Sequence, residues 1–114
     1  MNLWTETNLV LEENGKSWED VLTVCGIDFQ ITKENFEELA CITNYDAGFG
    51  GQEVAVDLMI IGKNFWLERH EYDGSEWWEY KEYPEYCHYL PFEKVYNLTG
   101  QWSWRSLRDI KEEK

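Results

Sequence analysis

The stretch "FWLERHEYDGSEWWEYKEY", Phe65–Tyr83, governs how the chain folds. Two aromatic-rich runs flank Asp73-Gly74, the residue pair that favours a tight two-residue hairpin turn. That turn sets Leu67 opposite Tyr80 and Arg69 opposite Trp78. On the other face it sets Trp66 opposite Lys81, His70 opposite Trp77 and Glu68 opposite Glu79. Side chains alternate along a strand, so Phe65, Leu67, Trp78 and Tyr80 share a face that can enter a core. Trp66, His70, Trp77 and several acids share the other. A three-residue turn would set Arg69 against Glu79 and relieve the Glu68–Glu79 clash, so this register stays open as an alternative.

Outward from the hairpin, "VAVDLMIIG" (54–62) is apolar at both alternate sets of positions, the pattern of a central strand covered on both sides. Asp57 interrupts it and requires a partner if buried. "LWTETNLVLEENG" reads as a first helix with Gly15 in the C′ position. "WEDVLTVCG" leans towards a strand through Val21 and Val24 and ends at Gly26, with "FQI" as its continuation. Thr32 is placed as an N-cap with Glu34 in the first turn. Phe36, Leu39, Ala40 and Thr43 recur at helical spacing, with Glu34, Glu37 and Glu38 opposite, which predicts a helix over about 33–43. "NYDAGFGGQE" is a loop hinged at Gly48, Gly50 and Gly51. After Gly100, the spacing of Trp104, Leu107 and Ile110 or Lys111 predicts a short last helix. The expected fold is α+β: an antiparallel meander of about four strands, two main helices and a short C-terminal helix, in one domain over 1–114.

The 114 residues carry 10 Lys and Arg against 23 Asp and Glu, a formal charge of −13. Such a surface repels nucleic acid and anionic membranes and attracts basic partners. Residues 105–114 hold four bases and three acids, so the acidity lies elsewhere. No apolar run reaches the length of a membrane span. The N-terminal stretch lacks the basic flank and small-residue cleavage site of a signal peptide. Cys25, Cys41 and Cys87 are widely spaced and odd in number, which fits reduced thiols in a cytosol.

Glu68–Tyr86 packs seven acids and six aromatics into 19 residues. Carboxylates two apart on a strand stand roughly 7 Å apart on one face, a row of negative charge that a phosphate-binding groove can receive. The candidate partner-binding acids are Glu68, Glu71, Asp73, Glu76, Glu79 and Glu82. The candidate aromatic anchors are Trp66, Tyr72, Trp77 and Tyr83, residue types that dominate interface energetics. The plainer reading is a solvated sheet face with acids guarding an edge strand and aromatics in the core. His70 beside Glu68, Glu71 and Asp73 could serve acid–base chemistry, and Cys87-His88 could ligate a metal, but neither has zinc spacing. "GFGG" lacks the Lys-Ser or Lys-Thr of a phosphate loop. No Gly-x-Ser-x-Gly nucleophile motif occurs. No catalytic residue, metal or cofactor is expected.

The run "GFGGQEVAVDLMIIGKNFWLERHEYDGSEWWEYKEYP", and "WLERHEYDGSEWWE" most specifically, resembles small acidic proteins of phages and other mobile elements. The resemblance covers roughly residues 14–84 and carries no assigned functional residue. In size and charge the chain is also similar to phage anti-CRISPR and anti-restriction proteins. That likeness implies an inhibitor acting in the host cytosol on a nuclease or CRISPR effector, without binding nucleic acid or membrane itself. Two alternatives are an immunity protein against a toxin nuclease and a carbohydrate-binding module using Trp66 or Trp77. An enzyme built on His70 and a neighbouring carboxylate is a third.

Overall fold

The hairpin forms with the two-residue turn. In a computed structural model describing residues 1–46, 51–84, 89–101 and 103–113, β4 (Phe65–Tyr72) pairs with β5 (Ser75–Glu82). Leu67 faces Tyr80, Arg69 faces Trp78, Trp66 faces Lys81, His70 faces Trp77 and Glu68 faces Glu79. Asp73 and Gly74 both have positive φ, 51° and 84°. That is the mirror-image turn whose twist matches the flanking strands, and it excludes the three-residue register. The Glu68–Glu79 clash is relieved by neighbours instead. Lys81 Nζ lies 3.7 Å from Glu68, and the Trp77 indole N–H donates to Glu79 at 2.9 Å.

The chain divides into two compact units, residues 1–83 and 84–114. The first holds an antiparallel five-stranded sheet, in which β1 (Val21–Cys25), β2 (Gln30–Ile31) and β3 (Met59–Gly62) join the hairpin in the order β2-β1-β3-β4-β5. The fold is α+β, with one strand more than expected. Gln30 and Ile31 of "FQI" are strand, as a separate element and not a prolongation of β1. The chain turns at Gly26, whose N–H donates to Phe29 O at 2.8 Å, and returns as β2. Trp18–Asp20 form a 3-10 turn before β1.

β3 is the middle strand, as its apolar run implies, but it is shorter than 54–62. The N–H groups of Glu53 and Val54 donate to Glu76, Asp57 accepts from Ile27 N–H, and Leu58 N–H turns back to Ala55 O. These bonds hold the segment off the ladder until Met59. Coverage also differs from the expectation. Ile60 is fully buried, whereas Met59 and Ile61 on the opposite face are half-buried.

Helix α1 (Leu3–Glu13) starts at Asn2, whose side chain accepts from Thr5 N–H. It ends at Gly15, φ 72°, with Gly15 N–H on Glu12 O and Lys16 N–H on Leu11 O. This double bond satisfies carbonyls that a helix end otherwise leaves open. Helix α2 (Lys33–Ala40) is capped by Thr32, which accepts from Asn35 N–H. It stops three residues before the expected end, where Ile42 and Thr43 N–H bond to Leu39 and Ala40 O in tighter turns. Only Phe36 and Ala40 of its expected stripe are buried, because this short helix meets the sheet along one narrow line. The core joins Leu3, Leu11, Phe36 and Ala40 to Val21, Val24, Ile60, Phe65, Leu67 and Trp78. Both helices therefore lie on one sheet face, the inner face.

In the second unit, α3 (Leu107–Glu112) begins at Ser106, where Ser106 and Asp109 bond reciprocally. Glu93 pairs with Arg108 at 2.8 Å and Lys111 at 3.5 Å. Among the described residues of this unit none is buried. No helix among the described residues is long and apolar enough to cross a membrane.

Gly62 is required sterically. A Cβ there would stand 2.0 Å from Cε1 of the buried Phe65 ring. Gly62→Ala is expected to cost about 1–3 kcal/mol, read as a lower urea midpoint. An unchanged midpoint would show that Phe65 can step aside.

Candidate functional site

The alternation of β4 and β5 divides the acidic stretch into two unlike halves. Trp66, Glu68, His70 and Tyr72 on β4, and Ser75, Trp77, Glu79 and Lys81 on β5, lie on the outer face. Arg69, Trp78 and Glu76 point the other way, into the first unit.

The inward half holds a buried ionic cluster. Arg69 is 7% exposed and Glu76 3%. Arg69 Nη2 donates to Glu76 Oε1 at 2.7 Å, and Nη1 to both oxygens of Glu6 at 3.2 and 3.4 Å. Tyr45 donates its phenol O–H to Glu6 and accepts from Arg69 Nη2 at 3.2 Å. The guanidinium lies 4.7 Å from the Trp78 ring centroid and 5.3 Å from that of Tyr45, within cation–π range. Glu6 Oε2 accepts the Trp78 backbone N–H at 3.1 Å, and Thr7 accepts the Trp78 indole N–H at 2.9 Å. Glu76 also accepts N–H bonds from Glu53 at 2.6 Å and Val54 at 3.2 Å. One cluster thus ties α1, Tyr45, the Glu53 and Val54 backbone and the hairpin together.

Burial alone would push the Glu76 carboxyl up. The Glu53 N–H, Arg69 and the Val54 N–H more than offset it, so the carboxyl titrates below its usual range. Burial also opposes charge on Arg69, but Tyr45, Glu76 and Glu6 raise its pKa above the ordinary value. Burial and the bond to Glu6 push Tyr45 up to about 12. Burial and the bond to Glu82 do the same for Tyr80, also to about 12.

Glu76 is therefore corrected as a contact residue: its carboxylate neutralises Arg69 and holds two backbone N–H groups. Five other candidates share the outer face: Trp66, Glu68, Tyr72, Trp77 and Glu79. Tyr83, just past β5, packs its ring 5.1 Å from that of Trp66. Asp73 sits in the turn. Glu71 and Glu82 are exposed at the two ends of the inner side, where Glu71 accepts the Gly74 N–H and Glu82 the Tyr80 O–H. The six acids thus do not form one row. His70 is half-buried on the outer face, its Nε2 3.8 Å from Glu68. The Cys87-His88 pair and Gly48 and Gly50 of the "GFGG" loop lie outside the described residues.

The sequence carries a signal for the cluster in its alternation. Phe65, Leu67 and Arg69 alternate onto one face, so Arg69 had to be buried with a counter-charge. Glu6 lies within the helical stripe Leu3, Thr7 and Leu11. Nothing local marks Tyr45, which reaches the cluster through tertiary packing.

Arg69→Leu would leave Glu6 and Glu76 buried without their cation, and is expected to cost about 3–5 kcal/mol. Glu68→Gln, on the outer face, should change stability by roughly 0.5 kcal/mol or less. Urea unfolding separates the two, and equal effects would remove the cluster from its structural role.

The pH dependence follows from the shifts. The lowered Glu76 pKa contributes stability present above the ordinary carboxylate value and lost as pH falls through the folded one. The raised Tyr45 and Tyr80 values contribute stability present below 10.0 and lost as pH rises towards about 12. Urea midpoints against pH should fall in both windows, and Glu76→Gln should flatten the acid limb.

No family model, curated protein or solved structure matches this chain, so its functional reading rests on this geometry.

Proposed function

We propose that the protein is a non-enzymatic acidic inhibitor that docks on the basic nucleic-acid-binding groove of a nuclease. Its specific form is a phage anti-CRISPR protein acting on a CRISPR effector in the host cytosol. One observation carries this reading: the charge stays at the surface of the first unit after folding. Residues 1–83 contain eighteen acids and five bases, whereas residues 84–114 contain five of each. Of the first unit's charged side chains, only Glu6, Glu76 and Arg69 are buried. Sixteen carboxylates then remain outside against four lysines. The buried cluster consumes almost none of the net charge, so it does not account for the acidity.

The outer face supplies the contact chemistry. Glu68 and Glu79 face each other across β4 and β5 with Trp66, Trp77 and Tyr72 around them. Carboxylates steer a basic partner in, and aromatic side chains slow its release. Glu34, Glu37 and Glu38 on the exposed side of α2 add to the long-range field. An immunity protein for a toxin nuclease would use the same surface and differ only in its target.

Capture of a nuclease or effector at low salt, with release at high salt, is the expected result. Against the captured protein, Glu68→Lys with Glu79→Lys should slow association about ten-fold at low ionic strength. Stopped-flow or surface-binding kinetics read this directly. Association that ignores both the reversal and the salt would defeat the proposal.

A further inference from the structure

The hairpin joining β1 to β2 ends in a turn that presents its apolar residues outward. Ile27 is 87% exposed and Phe29 69%. Val56, on the segment that holds this turn, is exposed as well. The turn is nonetheless tied down. Gly26 N–H donates to Phe29 O at 2.8 Å, and Ile27 N–H donates to Asp57 Oδ2 at 2.8 Å, across 30 residues of sequence. A Cβ on Gly26 would meet that carboxylate oxygen at 2.8 Å, so the close approach of Asp57 depends on glycine there. Two large apolar side chains are thus held in the open by a long-range bond.

The turn is continuous with the acidic outer face. Cys25, the last residue of β1, pairs with Met59, Met59 with Glu68, and Glu68 with Glu79. At an interstrand spacing of about 4.8 Å, Glu68 lies about 10 Å from Cys25 along that row, and Glu79 about 15 Å. Ile27 follows two residues after Cys25. The flanking charge selects the occupant. Asp28 and Asp57 are exposed beside the apolar pair, and the chain as a whole carries −13. A second copy of this chain and an anionic membrane are both repelled. A protein surface with an apolar slot rimmed by Lys and Arg matches both the side chains and their surround.

We propose that the Ile27–Phe29 turn is a preorganised apolar anchor that enters such a slot on the basic protein bound by the acidic face. This rests on the inhibitor reading and adds a second contact to it. Burying an apolar side chain whose backbone is already fixed costs less ordering entropy, so the anchor acts on the release rate.

The test immobilises the full chain and passes over it the heparin-retained protein fraction of a cell lysate, which is rich in basic nucleic-acid-binding proteins. Phe29→p-benzoylphenylalanine supplies a photo-crosslinker in the turn. The expected result is that the protein eluted by salt is also the one crosslinked from position 29. Ile27→Ser with Phe29→Ser should raise its dissociation rate about ten-fold, with association rate and salt dependence unchanged. Both positions are exposed, and unaltered thermal unfolding confirms that the double variant is folded. Wild-type release from the double variant, or no adduct from position 29, overturns the anchor and leaves the acidic-face reading standing. Retention of no basic protein by the wild-type chain overturns both.

Discussion

The first unit depends on one buried cation. Arg69 sits on an inward position of β4, between Glu6 on α1 and Glu76 on β5, with the Tyr45 and Trp78 rings near its planar group. A charge in that position is tolerable only when its partners are in place together. α1 must therefore pack in the register that brings Glu6 to β4. The hairpin must pair so that Glu76 falls inward, and Tyr45 and the Glu53 and Val54 N–H groups must reach the cluster. A one-residue slip of β5 would turn Glu76 to solvent and leave Arg69 short of a counter-charge. Few apolar contacts specify register so strictly, since one aliphatic side chain substitutes for another at modest cost.

The same cluster changes the meaning of the acidic stretch. Its acids appear uniform along the chain but perform different physical tasks. Glu76 is a structural anion, and its low pKa reflects the bonds it accepts. Glu68 and Glu79 are opposed on the outer face and are relieved by Lys81 and the Trp77 indole. Glu71 closes onto the turn through the Gly74 N–H, and Glu82 accepts from Tyr80. The cost of clustered like charge is thereby reduced locally, and the carboxylates left outside still dominate the long-range field.

The two proposed contact surfaces both lie away from the sheet face that the helices cover. Both helices cover the inner face, and nothing in α1 or α2 covers Met59, Ile61 or Trp66 on the outer one. The β1–β2 turn extends that open face with apolar side chains. An acidic surface with apolar contacts at its margin suits a partner that is basic and grooved, since charge sets approach and apolar burial sets residence.

The hairpin was legible in the sequence because its determinants are local. Asp73-Gly74 dictates the turn, and period-two alternation dictates which side chains face inward. The Gly15 end of α1 and the Thr32 cap of α2 were local too, and so was the class of the fold. Three features were decided only by tertiary structure. β3 begins late because Glu76 and Ile27, both remote in sequence, claim the backbone before it or its flanking carboxylate. β2 exists because the chain turns back at Gly26 rather than continuing. Tyr45 completes the ionic cluster from a position that no periodicity marks. The β1–β2 turn is tied to Asp57 from 30 residues away. For β3 and the ionic cluster the deciding bonds, to Glu76 and Glu6, join residues far apart in the chain and gain strength from burial, which only the packed molecule supplies.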